Sequence, residues 1–273
     1  MNQVKTFVKN HQLALFFVLA YAFSWGNYIL SRTVPNFPFF FPFGPLLAAL
    51  VTAGMADGWE GLKDLARRCL RWRVGLPWYA AALFVPAAIG LSTVYLTALL
   101  GGTDLSAAKL GPWYSLFLMF PMAIVDAPLM EEPGWRAFAL PRFPANRSPL
   151  FNTLILALLV VGWHVPLVLF EGAIFAPYLT AGVASAVLTN WIYYNTRGSA
   201  LLAILYHAAA STFGLYFSPL LSGADEVRYF WILAAVNWVV AATIVLVNGA
   251  TLQRRSAKLA ETAPAGKPST AKG

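Results

Sequence analysis

Three places in this chain combine residue types that can move protons. Glu131 and Glu132 are adjacent carboxylates in Met130-Glu131-Glu132-Pro133-Gly134-Trp135-Arg136, and two of the three histidines stand in otherwise apolar runs, His164 after Trp163 and His207 after Tyr206. A carboxylate beside imidazoles, shielded from bulk water, can deprotonate a bound water and hand the proton to a leaving amine, which is the chemistry of amide or ester hydrolysis. Successive helical residues point about 100° apart, so Glu131 and Glu132 cannot serve one face equally. Glu132 precedes Arg136 by four residues, the favourable order for a helical ion pair, and the simplest division holds Glu132 on Arg136 and leaves Glu131 for chemistry. Pro133 and Gly134, between the two, are expected to break or kink the helix. No Gly-x-Ser-x-Gly elbow is present and no cysteine lies near either histidine, which argues against a covalent route.

Ser211 follows His207 by four residues and shares its helix face, so it can donate a hydrogen bond into the same site. Glu131, His164 and His207 are also a zinc-competent set that would leave one position open for water. Neither His-Glu-x-x-His nor its inverse occurs, so no spacing demands a metal. The favoured reading is an acid–base apparatus in which Glu131 and His164 activate water while His207 and Ser211 hold the oxyanion. Asp126 is a further intramembrane carboxylate, expected either to line the cavity or to pair with a nearby donor.

These residues need a scaffold, and composition specifies its class. Of 273 residues 59% are hydrophobic and 11% charged, against roughly a quarter charged in soluble domains, which excludes a soluble globule and a disordered chain. The reading is an all-α polytopic integral membrane protein in which about eight transmembrane helices enclose a catalytic cavity. The apolar runs fall near 12–31, 38–56, 77–100, 113–132, 149–170, 177–195, 199–218 and 229–250. The first reads as a retained transmembrane helix, since no small-residue cleavage signature follows it. Residues 1–259 form one transmembrane domain with its core near 113–215, and 260–273, built of Ala, Pro, Thr, Lys and Gly, is a disordered cytoplasmic tail.

With both termini cytoplasmic, sixteen of the nineteen Lys and Arg fall on the cytoplasmic side, leaving Arg32, Lys109 and Arg228 outside. The net charge of +8 is therefore assigned to loops and tail, and no basic run interleaved with aromatics suggests nucleic acid. The single cysteine, Cys69, excludes an internal disulfide framework and a Cys-x-x-Cys metal site. Residues 58–74 mix Trp59, Leu62, Leu65, Leu70 and Trp72 with five basic residues, which fits either a helix lying in the membrane interface or a solvated loop helix. His11, before the first span, should face water. Glu131, His164 and His207 are expected to face one cavity open toward the cytoplasm.

At these residues the chain resembles the CAAX-protease and bacteriocin-processing (CPBP) family of intramembrane proteases, which includes the prenyl-protein endopeptidases. Glu131-Glu132-Pro133-Gly134-Trp135-Arg136 is similar to its first motif, Glu-Glu-x-x-x-Arg, and Trp163-His164-Val165-Pro166 to its second. Asn195-Thr196-Arg197-Gly198-Ser199 through His207 resembles the run into the last, His-x-x-x-Asn. The resemblance covers about residues 113–215. It implies an eight-helix core, water activation by the first glutamate and first histidine, and an oxyanion held with the second histidine, and it leaves metal use open. Val160 stands where the second motif has Phe, and Ser211 where the last has Asn; a hydroxyl reaches less far and donates one bond rather than two. The expected activity is that of an intramembrane endopeptidase acting on a membrane-associated peptide or protein, prenylated if the resemblance extends to substrate, with membrane lipid as the other partner. The alternative is a non-catalytic scaffold or transporter that keeps the cavity.

Overall fold

The structure, a computed structural model, describes residues 2–101, 109–169 and 172–253; the expected tail at 260–273 lies outside the described residues. Every regular element in these residues is helical. Seven stretches are long and apolar enough to cross a membrane: Gln12–Thr33, Leu76–Leu99, Trp113–Arg142, Pro149–Val168, Gly172–Asn195, Ala200–Leu220 and Ala224–Thr251. The chain is thus an integral multi-pass membrane protein. Helices α1 (Asn2–Asn10) and α2 (Gln12–Thr33) meet at His11, which is exposed as expected, its ring 4.6 Å from that of Phe7.

The eighth expected span, 38–56, is not a full-length helix. Helix α3 (Phe43–Cys69) is apolar only as far as Ala56, and fourteen residues rise about 21 Å, short of the roughly 30 Å of hydrocarbon. Non-helical chain supplies the rest. Ser24 Oγ donates to the Phe41 carbonyl at 2.6 Å, and Asn27 both donates to the Pro38 carbonyl at 3.3 Å and accepts from the Phe40 amide at 2.7 Å. Residues 38–41 therefore lie level with the middle of α2, so the chain has already turned back inward before α3 begins. Irregular backbone is tolerated at this depth because protein groups satisfy it. Phe41 is fully buried, its ring centroid 4.4 Å from that of Trp163.

Gly58, with φ of +61°, turns α3 into an arm running to Cys69, a conformation that glycine adopts without a Cβ penalty. Gly61 and Leu65 of the arm are buried, while Trp59 is 68% and Trp72 62% exposed. The following segment is tied to the tight turn after α8 (Phe175–Asn195). Ser199 Oγ donates to the Arg71 carbonyl at 2.6 Å, Arg197 Nη2 to the Arg73 carbonyl at 2.9 Å, and Arg71 to the Arg197 carbonyl. The 58–74 segment is thus an amphipathic element docked along one side.

Four more helices complete the bundle: α4 (Leu76–Leu99), α7 (Pro149–Val168), α9 (Ala200–Phe217) and α10 (Ala224–Asn248). The fourth crossing is discontinuous, with α5 (Leu116–Val125) and α6 (Ala127–Glu132) separated at Asp126 and a wide π turn over Pro133–Ala139. The expected disruption at Pro133-Gly134 takes that widened form. One face gathers the ends nearest the termini. Lys9 pairs with Asp57 at 3.2 Å, Arg142 Nε donates to Gln12 Oε1 at 2.7 Å, and Asn195 Nδ2 donates to the Leu252 carbonyl at 2.7 Å.

Candidate active site

The fourth crossing delivers the carboxylates, and close packing fixes its course. Gly134 lies so near α3 that a Cβ there would stand 2.6 Å from both the Cβ and the carbonyl oxygen of Pro45. Trp135 and Phe138 of the π turn pack on Phe16 of α2, with ring centroids 5.5 Å and 5.1 Å away. Glu131, Glu132 and Arg136 are all buried. Arg136 Nη1 donates to Glu132 Oε1 at 3.1 Å and lies 3.0 Å from Oε2. Glu131 has only Trp135 Nε1, at 3.4 Å from its Oε2, as a hydrogen-bond partner among the described residues. The i,i+4 pair leaves the two carboxylates in different surroundings: Glu132 in a fixed ionic cluster, Glu131 on the cavity wall.

His207, near the middle of α9, places Nδ1 2.9 Å from Glu132 Oε1. A carboxylate that also accepts from Arg136 is an acceptor here, so Nδ1 of His207 carries the hydrogen and Nε2 is left for the cavity. His164 reaches the same assignment on α7, because its Nδ1 lies 2.8 Å from the Val160 carbonyl, which can only accept. Its Nε2 is then the lone-pair nitrogen when the ring is neutral. Two clamps from α2 hold this part of α7, since Tyr21 Oη donates to the Leu159 carbonyl and Trp25 Nε1 to the Trp163 carbonyl at 3.0 Å. Val160, in place of the motif Phe, contributes its carbonyl to His164 and its side chain to the wall.

A cavity of about 290 Å³ brings together Glu131, Glu132, Arg136, His164, His207 and Ser211. Asp126 does not join them. It is exposed, with φ of −78° and ψ of −125°, at the break between α5 and α6, and it does not line the cavity. Five residues before Glu131, it would lie about 140° from that glutamate's face even on an unbroken helix.

No group of three His, Cys, Asp or Glu among the described residues is spaced to hold a metal ion. Glu131, His164 and His207 share a wall, and each histidine engages an acceptor through Nδ1 and keeps Nε2 as its free ring nitrogen. The residues present do not make the zinc set that their types allow.

Sequence reasoning missed the uncharged polar lining: Tyr178, Ser185 and Thr189 on α8, Tyr206 on α9 and Asn237 on α10. It also missed Asn190, which lies behind the site, fully buried. Asn190 Oδ1 accepts from Arg136 Nε at 3.1 Å while its Nδ2 donates to Thr153 Oγ1 at 3.2 Å. An amide in an apolar helix needs a buried partner, and that was the available signal.

Buried side chains bound the cavity at both ends. On each helix the residue one turn nearer the terminus-bearing face than the lining is buried: Ala82 below Pro86, Leu156 below Val160, Ile192 below Thr189, Leu202 below Tyr206 and Ala241 below Asn237. Toward the other face the lining reaches His164, Leu179, Gly214 and Phe230 close to their helix ends, beside a second buried cluster of Val94, Phe217, Leu220 and Tyr229. The terminus-side end is closed because large apolar side chains from α8, α9 and α10 meet there in one cluster.

Comparison with known families matches residues 112–213 to the model described as type II CAAX prenyl endopeptidase Rce1-like. That stretch contains both glutamates, Arg136, both cavity histidines and Ser211, and it agrees with the family resemblance carried by the three motifs. A comparison with curated proteins gave no match.

Proposed function

Taking residues 112–213 as the Rce1-like core of the chain, we propose that this protein is an intramembrane endopeptidase that hydrolyses a peptide bond with water activated by Glu131 and His164. The observation that carries the reading is the meeting of Glu131, His164 and His207 on one cavity wall while Glu132 is fixed by Arg136. Both termini are assigned to the cytoplasm. The gathering of Lys5, Lys63, Arg67, Arg73 and Arg147 at the ends of the helices on the terminus side supports that assignment.

In the proposed step the water oxygen attacks the scissile carbonyl carbon as its proton passes to Glu131 or to His164 Nε2. The carbonyl π electrons move to oxygen. The resulting oxyanion accepts hydrogen bonds from Ser211 Oγ–H and from Nε2–H of a protonated His207, whose Nδ1–H remains donated to Glu132. Collapse breaks the C–N bond, and the group that took the proton returns it to the leaving amine. Arg136 and Glu132 position His207 without touching substrate. Every proton in the scheme is carried by the chain's own groups.

The apolar lining from Ile89, Phe213, Phe230 and Leu233 supports a peptide with apolar residues around the scissile bond. A prenyl-linked peptide is the first substrate to test, on the family match. Purified protein in liposomes is incubated with such a peptide and the products are weighed by mass spectrometry. Cleavage by the wild type that is lost in Glu131→Gln supports the reading, and equal cleavage by both ends it.

A further inference from the structure

We propose that Arg71, Arg73 and Arg197 form a site for the phosphate headgroup of an anionic membrane phospholipid at the terminus-bearing face. Two short segments make the site: residues 70–75 join the arm of α3 to α4, and residues 196–199 form the turn between α8 and α9. Ser199, Arg197 and Arg71 each donate from a side chain in one segment to a backbone carbonyl of the other, so the two are fastened face to face. That clasp gathers three guanidinium-bearing residues. Among the described residues none of the three has a carboxylate partner, whereas Lys63, Arg67 and Arg68 of the adjoining arm pair with Glu60 and Asp64. The positive charge of the clasp is left for an anion from outside the chain.

The depth of the clasp selects a lipid over a soluble ion. Three apolar crossings have their ends there, since α4 begins at Leu76, α8 ends at Asn195 and α9 begins at Ala200. The arginines therefore stand where hydrocarbon gives way to water, at the level of the headgroups. Beside them Leu70, Trp72 and Leu76 are 71%, 62% and 79% exposed. A soluble ion leaves such apolar surface in water, while the glycerol and upper acyl chains of a lipid cover it. Arg73 lies over the Trp72 ring, its Cζ 5.3 Å from the centroid. Planar guanidiniums suit phosphate oxygens, to which they donate paired, charge-assisted hydrogen bonds. Phosphatidylglycerol has the chemistry required, a phosphate charge with no ammonium group to neutralise it.

A bound headgroup braces the base of α9. Ser199 Oγ donates to the Arg71 carbonyl and accepts from the Leu202 amide at 3.4 Å, so the clasp and the N-cap of α9 share one hydroxyl. The turn beside it is constrained. Arg197, at φ of +55°, and Gly198, at +76°, are both left-handed, a region that is costly for a residue with a Cβ. A phosphate held among the guanidiniums offsets the like charge collected there and stabilises the turn in this conformation. α9 carries His207 and Ser211, so the lipid secures the helix on which the proposed chemistry depends, although the binding itself requires no catalysis.

Thermal unfolding of the purified full-length protein in detergent tests the site, with phosphatidylglycerol, phosphatidylcholine and inorganic phosphate titrated separately. A ligand of the folded state raises Tm with its concentration, and the dependence gives an apparent affinity. Phosphatidylglycerol should raise the wild-type Tm, and the other two should not. Arg73→Gln is the test variant, because the Arg73 side chain makes no hydrogen bond among the described residues and the bonds of the clasp survive its loss. It should weaken phosphatidylglycerol about fivefold, the effect of one cation beside an anionic headgroup. Arg67→Gln removes a charge already paired with Asp64 and should keep the wild-type affinity. No rise in Tm with phosphatidylglycerol overturns the site, as does an Arg73→Gln protein that binds it like the wild type. Equal weakening by Arg73→Gln and Arg67→Gln also overturns it, since overall surface charge then explains the effect. An equal rise with inorganic phosphate overturns the lipid assignment. All these outcomes are read without cleavage, whereas the hydrolase reading stands or falls on Glu131→Gln.

Discussion

Asn190 accepts a 3.1 Å hydrogen bond from Nε of Arg136, so the guanidinium that holds Glu132 is itself aimed from the neighbouring helix. Both residues are buried, and Thr153 fixes the amide from its other end at 3.2 Å. Asn190→Leu leaves a buried guanidinium N–H without its acceptor, at about 1–3 kcal/mol of stability. Cleavage should fall at least tenfold through kcat while KM changes little, because Asn190 acts only through Arg136 and does not line the cavity. Asn190→Gln, which keeps an amide, should recover part of the loss. Thermal unfolding in detergent beside steady-state kinetics reads both effects, and a KM-only change would contradict the positioning role.

The two glutamates should fail in different ways. Glu131→Gln removes the base and keeps size, so activity should drop by about 10²–10⁴-fold with little change in Tm. Glu132→Gln breaks a buried ionic cluster and leaves Arg136 uncompensated, at about 3–5 kcal/mol. Melting curves of the two proteins side by side distinguish them, and an equal Tm for both would refute the division of roles.

Close backbone packing makes two glycines intolerant of a methyl group. A Cβ on Gly44 would stand 2.0 Å from Ser24 Oγ and 2.5 Å from the Ala20 carbonyl, and one on Gly134 would meet Pro45 at 2.6 Å. Gly44→Ala and Gly134→Ala should each cost about 1–3 kcal/mol through overpacking. Gly26→Ala, where a Cβ meets nothing within 4 Å, is the control and should leave Tm unchanged.

Cys69 should be a slow nucleophile. Burial, with the nearby Glu132 carboxylate adding to it, pushes its thiol up to about 11. Below that value the thiolate fraction rises about tenfold per pH unit, so alkylation should quicken steadily from pH 7 to pH 10 instead of levelling near pH 9. A rate that plateaus below pH 9 would contradict the buried setting.

Much of the site was legible because its residues are expensive where they stand. Charged and imidazole groups in apolar runs single themselves out, and the four-residue offset between Glu132 and Arg136 already contained their pairing. Asn190 and Asn237 escaped notice because a lone amide on an apolar helix carries no period and no net charge. The stretch at 38–42 was misread for another reason: hydropathy records how apolar a segment is, not that Ser24 and Asn27 draw its backbone inward. For Asp126 the sequence left two roles open, and its exposed place at the break between α5 and α6 decides against the cavity. The closure of the cavity on the terminus side could not be read from spacing along single helices. It is decided by which side chains from α8, α9 and α10 meet.

The buried cluster beneath the site has an electrical consequence. A polar well that ran the full thickness of the bilayer would conduct protons along its waters and discharge the membrane. Here the apolar layer of Leu188, Ile192, Leu202 and Ala241 interrupts any such path. Part of the transmembrane voltage must then drop across that layer, where the dielectric constant is low. Proton transfer among Glu131, His164 and an attacking water stays on one side of that layer and moves no charge across it, so the chemistry should run at the same rate in polarised and depolarised vesicles.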